Sequence, residues 1–148
     1  MKLKRVKNLF FLSCAKLPMP GKRWRPLFLK FGGVKVVDYK TVFVGRNVTV
    51  DTNRPYLITI DSGAYITHGC TILAHFFNPK EAAIHFDFGE VYIGKNAFIG
   101  CNSIICKSVT IGENAVIGAG SIINKDIPSN EIWGGCPIKF IKRRFKKC

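Results

Sequence analysis

Acidic residues are scarce in this 148-residue sequence: nine Asp and Glu stand against 23 Lys and Arg, giving a formal net charge of +14. None occurs before Asp38. Such a balance attracts phosphate groups, anionic glycans or an anionic membrane surface. Long apolar runs are missing too, so no segment is long enough to cross a membrane. The six cysteines (14, 70, 101, 106, 136 and 148) form no CxxC pair and no dense framework. That argues against a secreted disulfide scaffold and for a reduced cytoplasmic setting. Histidine is the rarest source of chemistry, with three residues in all, His68, His75 and His85. The length suits one domain with a real core, and nothing marks a second.

The positive charge is unevenly placed. Positions 1–35 hold ten of the 23 basic residues and positions 139–147 hold six, so the two ends carry the field and the body is nearly balanced. The opening MKLKRVKNLFFLSCAKLPMP imitates a secretion signal, but its apolar run is short and lysine resumes at Lys16. It reads as an amphipathic helix, with Leu3, Val6, Leu9, Phe10 and Leu17 packed on the body or lying on a membrane face. The aromatics do not interleave with the basic clusters as a stacking platform would, so no nucleic-acid partner is expected.

What the sequence does have is isoleucine in strict register. It stands at 93, 99, 105, 111, 117 and 123. On a helix, steps of six residues at about 100° each would scatter these side chains over three sides. On a strand six is a multiple of two, so all would face one way. Gly94, Asn96, Gly100, Asn102, Gly112, Asn114, Gly118 and Gly120 punctuate the run, which excludes one long strand. The remaining solution is a short strand, a corner and another short strand, repeated. Four places after each isoleucine come Ala97, Ser103, Val109, Ala115, Ser121 and Ile127, mostly small, as a crowded inner corner requires. This is the hexapeptide signature of a parallel β-helix, an all-β fold.

The register extends backward through Val42–Val44, Val50, Ile60, Ile66 and Ile72. Two steps break it: ten residues from Val50 to Ile60, around TNRPY, and 21 from Ile72 to Ile93. The second, HFFNPKEAAIHFDFGE, is an excursion near 76–90, and loops interrupting a rigid repeat are where binding and chemistry gather. After Pro128, the residues Ile138, Ile141 and Phe145 suit one face of a short C-terminal helix that would cover the open strand edges of the last coil. The expected organisation is a basic N-terminal segment over 1–35 with helical character, a β-helix over 36–128, and a cap with a basic tail over 129–148.

Three stretches carry a resemblance to a known family: IGAGSIINKDIP (117–128), GGCPIKFI (134–141) and ITHGCTILAH (66–75). The chain resembles the hexapeptide-repeat acyltransferases over about residues 40–142, and within them the galactoside, maltose and lipopolysaccharide O-acetyltransferase group. The resemblance implies a left-handed parallel β-helix, assembly as a homotrimer with sites between subunits, and acetyl-CoA as acyl donor. It places His75 where the family has its catalytic base. An imidazole, which ordinarily titrates at about pH 6.5, suits removal of a proton from an attacking hydroxyl. The family pattern often continues with Asp after this histidine, whereas Phe76 follows here, so the group that orients His75 is not evident.

By the same carry-over, Cys101, Ala119, Asn124, Lys125, Lys139 and Lys142 match positions that contact the cofactor. The two C-terminal lysines stand where arginine is common, keeping the charge for the nucleotide phosphates without the bidentate fork. Asp51, Asn53 and Arg54 of the VDTNRP insertion and His85 of the excursion are candidates for the acceptor side; a surface loop explains them equally well. Cys70 sits at a small-residue repeat position and is not expected to form an acyl intermediate. His68 reads as structural.

The leading function is therefore acetyl transfer from acetyl-CoA to a hydroxyl of a sugar or cell-surface glycan intermediate, in the cytoplasm and at the inner face of an anionic membrane. Alternatives are acetylation of an antibiotic or amino-sugar nitrogen, and a non-catalytic scaffold or glycan-binding module. A zinc hydratase of the carbonic anhydrase type, also built on this repeat, would need three histidines presented as ligands. No metal site is expected.

Overall fold

The computed structural model describes residues 2–79 and 84–145. Two helices lead, α1 (Lys2–Cys14) and α2 (Trp24–Phe31). Four triangular coils follow. The first comprises β1 (Lys35–Val36), β2 (Phe43–Val44) and β3 (Thr49–Val50); the second β4 (Ile58–Ile60), β5 (Tyr65–Ile66) and β6 (Thr71–Ile72). A hairpin, β7 (His75–Phe77) with β8 (Phe86–Phe88), interrupts the column before the third coil of β9 (Val91–Ile93), β10 (Phe98–Ile99) and β11 (Ile104–Ile105). The fourth is β12 (Val109–Ile111), β13 (Val116–Ile117) and β14 (Ile122–Ile123), and the chain ends on β15 (Glu131–Gly134) and β16 (Lys139–Arg143).

Corresponding strands stack in parallel into three faces. The first is β1-β4-β9-β12, the second runs from β2 through β5, β10 and β13 to β15 and β16, and the third is β3-β6-β11-β14. This three-sided column with six residues per side fits the β-helix expected from the periodicity. All six register isoleucines are buried, at most 1% exposed, and Ala97, Ser103, Val109, Ala115, Ser121 and Ile127 are buried at 2% or less. Each fully buried isoleucine contributes about 1.5–3 kcal/mol relative to exposure. The look-alike stretches Val42–Asn47 and Val91–Asn96 lie on different faces, the second and the first.

The corners explain the Asn and Gly punctuation. Where the second face turns into the third, Asn47, Gly69, Asn102 and Gly120 all have φ between 54° and 73°. Where the first turns into the second, Gly63, Asn96, Asn114 and Asn130 do the same, with φ between 53° and 69°. Asparagine and glycine are the residues that tolerate this left-handed region. The third edge, from third face to first, carries no such residue among those described. Its corners at 106–108 and 124–126 are plain, and both insertions leave the column there.

The N-terminal mouth is plugged by the helices. Leu12, Ala15 and Leu29 join the core, the Arg25 guanidinium donates to the Val44 carbonyl at 3.1 Å, and the Val44 amide donates to Gly21. Nothing among the described residues is a helix long and apolar enough to cross a membrane.

The other mouth corrects an expectation: there is no C-terminal helix. β15 extends the second face by pairing in parallel with β13, which leaves its outer edge open, and β16 folds back antiparallel onto it. A turn through Gly135, with φ of 99°, permits the reversal. Ile138 is fully buried and Phe140 packs edge-on against Trp133 at 5.8 Å. An unpaired edge thus outweighs the apparent helical spacing of Ile138, Ile141 and Phe145. The last three residues of the basic tail lie outside the described residues.

Candidate active site

The site stands on the plain third edge, where two successive coils each let the chain out. Asp51 follows β3 in the first coil, and its amide donates to the Ile72 carbonyl. His75 opens the hairpin in the second coil, directly after buried Ala74. Stacking brings together two residues 24 apart in sequence: His75 Nδ1 lies 2.5 Å from Asp51 Oδ2. The same carboxylate oxygen accepts the Ala74 amide at 2.9 Å, and Oδ1 accepts the Asn53 amide at 2.8 Å.

Asp51 is 2% exposed. Burial alone would raise its pKa, but the bonds from His75 and from the Asn53 and Ala74 amides outweigh it and hold the carboxyl below the usual aspartate value. It is a buried carboxylate, fully bonded, with one job left for its partner. By accepting from Nδ1–H it fixes the tautomer that leaves Nε2 unprotonated, and no described residue bonds that atom. The His75 side chain is 28% exposed, so the imidazole is reachable.

Aromatic side chains wall it in. Phe86 lies edge-on to the imidazole at 5.6 Å and Phe88 lies tilted to it at 6.5 Å, while the Arg54 guanidinium stacks over Phe88 at 3.7 Å. Phe77, Phe86 and Phe88 are all more than two-fifths exposed, so the hairpin offers an open apolar surface beside His75.

The other expected residues distribute as follows. Asp51, a candidate for the acceptor side, is buried and bonded to His75 Nδ1. Asn53 is exposed on the insertion and accepts from Arg5 at 3.2 Å. His85 lies on the hairpin, 3.6 Å from Asp87, and is half exposed. Asn124 and Lys125 are exposed on the same edge as Asp51 and His75, two coils beyond His75. At about 4.8 Å per coil that is roughly 10 Å along the column. Cys101 and Ala119 are exposed on a different edge, between the second and third faces. Lys139 and Lys142 are exposed on β16. One copy of the chain therefore does not gather all of these at one point.

Cys70 is 1% exposed, its thiol donates to the Gly100 carbonyl at 3.2 Å, and burial pushes its pKa up. It is no nucleophile. His68 is exposed on the edge that carries Cys101, so the three histidines do not converge.

Phe86, Phe88 and the stacked role of Arg54 escaped the sequence reading. The alternation in HFF and HFDF was their signal, since a hairpin of that pattern lays its aromatics on one side.

Comparison with known proteins bears on the fold and the family. Residues 90–125 match the family described as bacterial transferase hexapeptide (six repeats). The chain is 46% identical over 137 residues to Protein CapG of Staphylococcus aureus, covering 89% of this chain and 76% of that one. It is 35% identical over 142 residues to the Bacillus subtilis protein named "Putative acetyltransferase YvoF", covering 94% and 77%. Among solved structures, a galactoside acetyltransferase in complex with coenzyme A superposes with a TM-score of 0.70 at 23% identity, over 97% of this chain and 82% of that one. With its hexapeptide column and this degree of identity, the chain belongs to the hexapeptide-repeat acyltransferases.

Proposed function

We propose that the chain is an acetyl-CoA-dependent O-acetyltransferase acting on a hydroxyl of a sugar or cell-surface glycan intermediate in the cytoplasm. The observation that carries this reading is the Asp51–His75 pair at 2.5 Å, with the imidazole partly exposed beside an aromatic wall. A hydroxyl is a poor nucleophile until its proton leaves, so this acceptor is the one that needs such a base. Nε2 takes the hydroxyl proton as the oxygen attacks the thioester carbonyl. Asp51 stabilises the resulting imidazolium, which then returns the proton to the departing sulfur. No enzyme nucleophile takes part.

Acetyl-CoA supplies the acetyl group as a thioester. The residues suited to hold it are Asn124 and Lys125 on the site's own edge, exposed Cys101 and Ala119 on the neighbouring edge, and Lys139 and Lys142 for phosphates. Edges that are separate in one copy become neighbours in a homotrimer. The side chains that point outward on the second face support such packing: Phe43, Tyr65, Phe98 and Val116. The third face presents Thr49, Thr71, Ile104 and Ile122, and the first Lys35, Thr59, Tyr92 and Thr110, both more polar. The second face is the one best suited to association.

The test is thiol release from acetyl-CoA in the presence of a panel of sugars. His75→Ala is expected to lower the rate by about 10²–10⁴-fold. Equal rates in wild type and variant would remove His75 as base.

A further inference from the structure

The two faces of α1 have different fates. Leu12 and Ala15 point inward to the core, and Arg5 reaches the insertion loop at Asn53. On the opposite side Leu3, Val6 and Phe10, at helical spacing, are 85%, 63% and 63% exposed. Lys4 and Lys7 flank this stripe and are exposed as well. Phe31 of α2, 48% exposed and 5.3 Å from Phe11, widens the apolar surface. Ten basic residues and no acidic one lie within positions 1–37. An apolar helix face bordered by lysine, on a segment with no negative charge, is complementary to one kind of partner. It suits a surface that is negatively charged at the level of the lysines and oily just beneath.

We propose that the outer face of α1 is a peripheral docking surface for an anionic phospholipid bilayer. Leu3, Val6 and Phe10 enter the headgroup boundary, Lys4 and Lys7 meet the phosphates, and the N-terminal mouth of the column rests on the membrane. Resting on the function proposed above, the docking has a consequence for the acceptor. Asp51 and His75 belong to the first and second coils, within roughly 10 Å of that mouth. The site thus stands at the height of a glycan carried on a membrane lipid.

The experiment is co-sedimentation of the full chain with phosphatidylglycerol-containing vesicles and with pure phosphatidylcholine vesicles, at low and high salt. Binding is expected on the anionic vesicles, weakened by salt and absent on the neutral ones. The exposed double variants Leu3→Ser/Phe10→Ser and Lys4→Gln/Lys7→Gln are each expected to weaken it about tenfold or more. Thermal midpoint, solution mass and thiol release with a soluble sugar should stay as in wild type. No binding to anionic vesicles overturns the proposal. So does binding that survives Leu3→Ser/Phe10→Ser but is lost in Lys142→Gln/Arg143→Gln, at the opposite end of the column. A change in solution mass in Leu3→Ser/Phe10→Ser would assign the face to a second copy and overturn it equally. An inactive protein that still binds vesicles would sink the proposed reaction and leave the docking standing.

Discussion

At the scale of single residues, the decisive contact is the one between Asp51 and His75. Asp51→Asn keeps the shape but not the charge that fixes the imidazole tautomer. It is expected to lower kcat by about 10²–10⁴-fold with little change in KM for acetyl-CoA, read from steady-state thiol release. The same substitution should cost about 1–3 kcal/mol of stability near neutral pH, measured by denaturant unfolding, because a buried bonded acceptor is lost. The pH dependence has a definite sign. The folded-state pKa of Asp51 lies below its ordinary value, so its stabilisation is fully present above about pH 4 and fades as pH falls through the lowered value. The gap in unfolding midpoint between wild type and Asp51→Asn should therefore narrow on acidification below about pH 4. His75 stood out in the sequence through the family resemblance of the rung it ends. Asp51 was read as an acceptor-side candidate on a loop and not as a partner of His75, since linear spacing hides that one coil stacks on the next. Its partner is 24 positions away but a single hydrogen bond across the column.

Secondary-structure elements show where patterns suffice and where they fail. The column was legible to the residue, because a six-residue period has one solution that buries every isoleucine. Ile111→Ala, in a fully buried rung, should cost about 2–5 kcal/mol in unfolding free energy. At the corners, Asn102 has φ of 56°. Asn102→Ala should cost about 1–2 kcal/mol, whereas Asn102→Gly should be nearly neutral, and thermal midpoints of the pair would separate the two. The C-terminal strands were misread because apolar residues three and four apart satisfy a short helix and, with a bulge, a short strand. What decided it was the open edge of β15, a feature of the assembled column that no local window contains. The excursion was legible as an interruption but not as a hairpin with its aromatics gathered beside His75.

On the scale of the whole molecule, the second face turns a row of apolar side chains outward. In the homotrimer proposed above, a charge placed on an outward apolar position should break assembly without touching His75. Tyr65→Glu or Ile104→Glu is expected to shift such a particle toward monomer in light scattering. Activity should fall with it, while each protomer keeps its fold by circular dichroism. Retention of full activity as a monomer would remove the intersubunit site. The sequence revealed the charge at both ends but not that the helical end leaves an apolar stripe uncovered, which depends on which side of α1 the column takes.

Both long departures of the chain occur at the edge from the third face to the first, which carries no left-handed residue among those described. A corner pinned by Asn or Gly must keep its length or forfeit its turn; the unpinned one can be lengthened at little cost to its neighbours. Acceptor preference should consequently be exchangeable as a cassette: swapping residues 76–88 between members of this family ought to retarget the reaction while the scaffold melts unchanged.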